Sequence, residues 1–138
     1  MYTRAWFIVE LREIRNKKGA LIPIEVEKVT QGLFASAPLI YPIINNSLES
    51  ATRGGHLHPK GMKQEIFISL RGVASVELHT PDNACSVVVL DKPALALVIS
   101  EGVWHEVTIS PDGILLVIAD SLYCEGEGVD EKPCHCGK

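Results

Sequence analysis

From Ala5 to Ala119 the apolar positions fall into short runs rich in Val, Ile and Leu, broken by turn-forming residues. That spacing, about eight to twelve positions between turns, is the pattern of an all-β sandwich or barrel. AWFIVELREI ends at NKKG, ALIPIEVEK follows, and after VTQGLFASAP comes LIYPII, where Pro42 argues for an edge strand. Later runs are EIFISL, VASVELH, SVVVLD, ALALVI, WHEVTI and GILLVIA. Between them stand Arg71-Gly72, TPDNA, DKP, SEG and SPDG, each supplying backbone freedom or a fixed φ for a tight turn. Helix is expected to be scarce.

Length and composition narrow the picture. At 138 residues the chain fits one domain with a real core. Thirteen basic against seventeen acidic side chains leave a net charge of −4, without a basic block suited to a phosphate backbone, so nucleic acid is not an expected partner. No apolar run approaches the ~20 residues that span a bilayer, and Trp6 to Val9 is shorter than the roughly 7–15-residue core of a signal peptide. A cytoplasmic protein without membrane partners is expected. After Tyr123 the composition turns glycine-rich and acidic, so residues 1–123 are read as the domain and 124–138 as a mobile tail. The four cysteines form no evenly spaced framework, and reduced thiols are expected.

The candidate chemistry lies in RGGHLHPKGMKQE, residues 53–65. If residues 53–58 are extended, His56 and His58 share a face, because strand side chains alternate. Pro59, Lys60 and Gly61 then reverse the chain, and the returning strand carries Glu65, Phe67 and Ser69 on one face and Ile66, Ile68 and Leu70 on the other. Glu65 can thus oppose the imidazoles, and EGVWHEV delivers His105 at the start of another strand. Three histidines and a carboxylate converge in this reading. An imidazole pair suits proton transfer near neutral pH. The same His56, His58, Glu65 and His105 are also a competent ligand set for a divalent ion such as Fe, Mn, Ni or Zn. His79, at a strand end, is read as structural.

His56-x-His58, Glu65 followed by Gly72, and Gly102-x-x-His105 resemble the two motifs of the cupin superfamily, small jelly-roll β-barrels. Within it, NKKGALIPIE, RGGHLH, SLRG, ISEGVWHEV and LLVIADSLYCE are similar to the WxcM-like sugar-nucleotide 3,4-ketoisomerases, which act on dTDP-4-keto-6-deoxyglucose. The resemblance implies an isomerase that needs no cofactor, with His56 and His58 as acid and base and Tyr41 assisting at the sugar. It implies substrate contacts from Arg53, whose guanidinium suits a diphosphate, and from His105, Trp104 and Glu65. Departures are LIYPII in place of the family's RVYYI-like stretch, two extra residues after His58, and EGVD near the end. The family pattern carries Gln at the place of Glu65. A metal-free isomerase is therefore expected to tolerate Glu65→Gln, whereas a metal cupin would lose ion and activity together.

Two further readings stand beside the isomerase: a metal cupin performing oxygen chemistry or isomerisation, and a cupin that only binds a sugar or other small molecule. The apolar reverse face Ile66, Ile68 and Leu70 leads to the expectation of a homodimer. In the tail, Cys134, His135 and Cys136, with Cys124, are zinc-competent, but a lone Cys-x-Cys is not the usual structural spacing.

Overall fold

The computed structural model describes residues 5–58, 63–82 and 84–122. Eleven strands are found among them: β1 Trp6–Glu10, β2 Ile14–Asn16, β3 Gly19–Leu21, β4 Leu39–Ile44, β5 Ala51–His56, β6 Glu65–Arg71, β7 Ala74–His79, β8 Cys85–Leu90, β9 Leu95–Ile99, β10 Trp104–Ile109 and β11 Ile114–Ala119. A five-stranded sheet runs β1-β9-β6-β11-β4, a four-stranded sheet runs β5-β10-β7-β8, and β2 and β3 form a small hairpin. Every pairing is antiparallel. Apart from the β2-β3 and β7-β8 hairpins, neighbours in each sheet come from distant parts of the chain, as a jelly roll requires and a simple meander does not.

The two sheets bury their facing sides against each other. Val76, Leu78, Val107 and Ile109 of the smaller sheet meet Phe67, Leu97, Ile99, Leu115 and Val117 of the larger in one cluster. Alternation along β6 is as expected, with Glu65, Phe67 and Ser69 on the inner side. The Leu115 and Val117 inner positions of β11 alternate with Ile118, which joins the outer cluster. Pro42 does lie on an edge strand, β4.

Two expectations are corrected here. The run ALIPIEVEK does not continue as a strand: β3 ends at Leu21, Pro23 removes a ladder donor, and the chain makes a four-residue helix α1, Val26–Val29. The segment that follows β3 folds over the outer face of the larger sheet. Val29 and Phe34 pack there with Phe7, Ile66, Ile68, Ala96, Val98 and Ile118. Ile66 and Ile68, 0% and 1% exposed, are therefore covered by their own chain and need no second copy. Leu70, 46% exposed, remains open.

The cysteines supply another correction. Cys85 is disulfide-bonded rather than a reduced thiol. Cys124, Cys134 and Cys136, with the zinc reading attached to them, and the tail 124–138 lie outside the described residues, as does the turn Pro59–Gly61. No helix among the described residues is long and apolar enough to cross a membrane.

Candidate active site

His56 closes β5, and its position depends on two glycines. In the pairing of β5 with β10, His56 lies opposite His105 and Gly54 opposite Glu106, so Gly55 is an extra residue, a β-bulge. Gly54 and Gly55 have φ of +89° and +76°, a region L side chains enter at a cost. Space forbids a side chain as well. A Cβ on Gly54 would stand 3.0 Å from the His105 carbonyl oxygen, and one on Gly55 2.9 Å from Glu106 Oε2.

The bulge changes which residues share a face. Three residues apart on a regular strand, Arg53 and His56 would point to opposite sides. With Gly55 inserted, Arg53 pairs with Val107 and His56 with His105, two positions of β10 that share the inner face. Arg53 itself is exposed on the edge strand, on the same side as the imidazoles.

The other members arrive from three directions. His58 follows β5, and its carbonyl accepts a 2.7 Å hydrogen bond from the Gly102 N–H, which ties it to the turn ahead of His105. Glu65 opens β6, a central strand. Beside it Gln64 is clamped to the end of β11, its backbone N–H donating to Asp120 Oδ1 at 2.8 Å and its amide to Asp120 Oδ2 at 3.1 Å. With Gln64 so held, strand alternation aims Glu65 inward.

The result is a compact cluster. The ring of His56 stands 4.8 Å from that of His58 and 5.1 Å from that of His105, both edge to face. Oε1 of Glu65 lies 3.1 Å from His58 Nε2 and 3.2 Å from His105 Nε2. The second ring nitrogen of His105, Nδ1, is 3.1 Å from the Val103 carbonyl oxygen, and Phe67 closes on the same ring at 5.6 Å. Glu65, His58 and His105 are buried, whereas His56 is partly open. Burial alone pushes the Glu65 carboxyl up. The hydrogen bonds and charges of His105 and His58 outweigh it and hold the group well below the usual carboxylate range.

Other sequence candidates fall elsewhere. Tyr41 pairs with Val117 and packs, half-buried, against the inner core. Trp104 is on the far side of β10 from His105: it pairs with His79 and meets that ring edge-on at 5.1 Å. The structure therefore does not bring Trp104 to the imidazoles. His79 is buried, with Nε2 3.4 Å from Glu77 Oε1, in keeping with a structural role. What the sequence reading lacked was the Gly54-Gly55 bulge, for which two adjacent glycines before a histidine were the available signal. The Val103 carbonyl, a backbone group, leaves no signal at all.

The same histidines form a candidate metal centre. Their ligand atoms lie within 4.8 Å of one another, against about 3.4 Å between ligands around a tetrahedral ion with bonds of about 2.1 Å. The residue types fit a divalent ion, and the imidazoles would have to draw together to close on one. In that case His56, His58 and His105, together with Glu65, would hold the ion, and the ion would supply Lewis acidity.

The chain is similar to known proteins over most of its length. Residues 4–132 match the family described as FdtA: WxcM-like, C-terminal. A curated relative, TDP-4-oxo-6-deoxy-alpha-D-glucose-3,4-oxoisomerase of Aneurinibacillus thermoaerophilus, is 29% identical over 119 residues, covering 86% of this chain and 81% of the relative. Among solved structures, the WlaRB TDP-quinovose 3,4-ketoisomerase from Campylobacter jejuni superposes with a TM-score of 0.81 at 25% identity, covering 94% of this chain and 95% of the other. The sugar 3,4-ketoisomerase QdtA from Thermoanaerobacterium thermosaccharolyticum, solved with TDP, gives 0.75 at 27% identity, with 92% and 88% covered.

Proposed function

The chain belongs to the FdtA, WxcM-like C-terminal family, and from that premise we propose that it is a 3,4-ketoisomerase of a TDP-linked 4-keto-6-deoxyhexose. The observation that carries the reading is the inward cluster of His56, His58 and His105 around one carboxylate. The reaction takes the proton from C3, leaves an enediolate across C3 and C4, and returns a proton to C4, while the hydroxyl proton passes from O3 to O4. No electron enters or leaves. Two imidazoles side by side can take and return these protons, the work expected of His56 and His58. Arg53, on the same side at the open edge, is suited to the diphosphate. Tyr41, on the inner face, is suited to the sugar.

Incubation with dTDP-4-keto-6-deoxyglucose in D₂O tests the reading. The expected result is a 3-keto product carrying solvent deuterium at C4. No turnover and no exchange at C3 on any 4-keto-6-deoxy nucleotide sugar would overturn it.

The mechanism needs no resident metal, and we propose that none takes part. Metal analysis of the purified protein, with activity before and after chelation, checks this. Stoichiometric metal whose removal abolishes turnover would favour the metal cupin instead.

We also propose a homodimer. Ile66 and Ile68 no longer support it, but Ile40 and Ile44 on the edge strand β4, 60% and 55% exposed, with Leu70, leave apolar surface open on the larger sheet. Sedimentation that shows only the monomer mass at micromolar concentration would refute it. A charged nucleotide sugar remains in the compartment where it is made, which argues for the cytoplasm. Cell fractionation checks the location, and recovery in an exported fraction would overturn it while accounting for the disulfide at Cys85, a bond uncommon in reducing compartments.

A further inference from the structure

Trp104, His79 and Cys85 form one row across the smaller sheet: Trp104 pairs with His79, and His79 with Cys85. Residues opposite each other on neighbouring strands share a face. That face is the outer one, since Val76 and Leu78 of β7 and Val88 and Leu90 of β8 point into the core. The outer face of a two-layer fold meets water unless something covers it. Yet His79 is 1% and Trp104 4% exposed, and Trp104 belongs to neither apolar cluster. Further along the same face of β8, Val87 and Val89 are 65% and 52% exposed. The cover is therefore local: it lies over the Trp104-His79 end of the sheet and stops short of the two valines.

A covalent bond marks what supplies it. Cys85, at the exposed end of the row, is disulfide-bonded, and the chain's other cysteines are Cys124, Cys134 and Cys136, all beyond Leu122. The chain also leaves the barrel at the right end. Ala119, the last residue of β11, pairs with Glu65, whose Oε1 is 3.2 Å from Nε2 of His105, the neighbour of Trp104. From Ala119 the fifteen residues to Cys134 reach about 50 Å when extended, several times the ~10 Å between packed sheets. We propose that residues 123–138 dock on the outer face of the smaller sheet over Trp104 and His79, held by a disulfide from Cys85 to one of their three cysteines, as a strap that a dithiol releases. The row lies directly behind the imidazoles, for Trp104 Cζ2 is 3.7 Å from where a Cβ on Gly55, the bulge residue before His56, would stand. Because Cys85 is exposed, a dithiol reaches the bond without unfolding the sheet. The S–S bond takes two electrons and two protons from the dithiol, leaving Cys85 and its partner as thiols and the dithiol closed into its own disulfide.

The test needs no substrate, so it stands apart from the ketoisomerase reading. Peptide mapping of the full chain purified without reductant should recover the Cys85 peptide linked to one that carries Cys124, Cys134 or Cys136. A glutamate-specific protease should cut after Glu125, Glu127 and Glu131 about tenfold more slowly in that protein than after reduction with dithiothreitol, because cleavage follows the population in which the segment is released. In Trp6→Phe, where Trp104 is the one tryptophan left, reduction should raise acrylamide quenching of the emission. Cys85→Ser should be cut as fast as the reduced wild type. A free Cys85 thiol, a link that joins two copies of the chain, or cleavage and quenching unchanged by reduction would each overturn the proposal. If either variant fails to fold, mapping and proteolysis of the wild type still decide.

Discussion

Replacing His56 or His58 by Asn keeps a polar group of similar size near each ring's place but removes a nitrogen able to exchange protons at neutral pH. Each variant is expected to fold and to lose about 10²–10⁴ in turnover of the 4-keto sugar, the usual worth of a positioned general acid or base. Steady-state kinetics beside thermal melts check this, and wild-type rates in both variants would remove these residues from the proton transfer. The loss is expected in kcat more than in KM, since neither ring is needed to hold the diphosphate. Arg53 should show the opposite split. On the exposed edge of β5, Arg53→Ala removes a fork of donors suited to phosphate oxygens, so the KM for a TDP-sugar should rise with kcat little changed; an unaltered KM would return Arg53 to the status of a solvated charge.

At the scale of elements, the site is made by the bulge in β5 as much as by the residues it displays. Gly54→Ala puts a methyl group against the His105 carbonyl at 3.0 Å and forces an L residue to φ near +89°. About 1–2 kcal/mol of backbone strain alone follows, and relief of the contact must shift β5 relative to β10. Turnover should therefore fall with the melting temperature, while Ala at Gly19, where a Cβ meets nothing within 4 Å, should perturb stability without touching activity. Equal activity in the two variants would show that the bulge does not position His56. These elements also show where the sequence was readable. Alternation along β6 announced that Glu65 and Phe67 face inward, because period two is enforced by the pleat itself. The bulge was not announced, because an inserted residue resets that parity and only the pairing with β10 reveals it. The resemblance of the Trp104-His105-Glu106 motif implies a substrate contact from Trp104, but one step along a strand is a change of face, and Trp104 lies beside His79 instead.

For the whole molecule, the larger sheet is closed on one side by the smaller sheet and on the other by the chain's own segment around α1. No apolar period distinguishes that cover from a strand, so the sequence by itself leaves the apolar face of Ile66 and Ile68 without a partner from its own chain. The same architecture places an ionised carboxylate between the layers, which links global stability to acid. In the unfolded chain Glu65 takes up its proton near the ordinary 4.5, whereas in the folded protein its hydrogen bonds to His105 and His58 hold that event to lower pH. Above about pH 4.5 both states are ionised and the stabilisation is complete. As pH falls below that value the unfolded state binds a proton the folded state does not, so stability drops, and continues to drop until the folded carboxyl itself protonates. Urea unfolding followed from about pH 6 to about pH 3 should accordingly show a midpoint that declines steeply in the wild type and less steeply in Glu65→Gln, where this group no longer titrates. Parallel pH dependence in the two proteins would mean that Glu65 is not held ionised between His58 and His105, and the account of the site built on that carboxylate would fall with it.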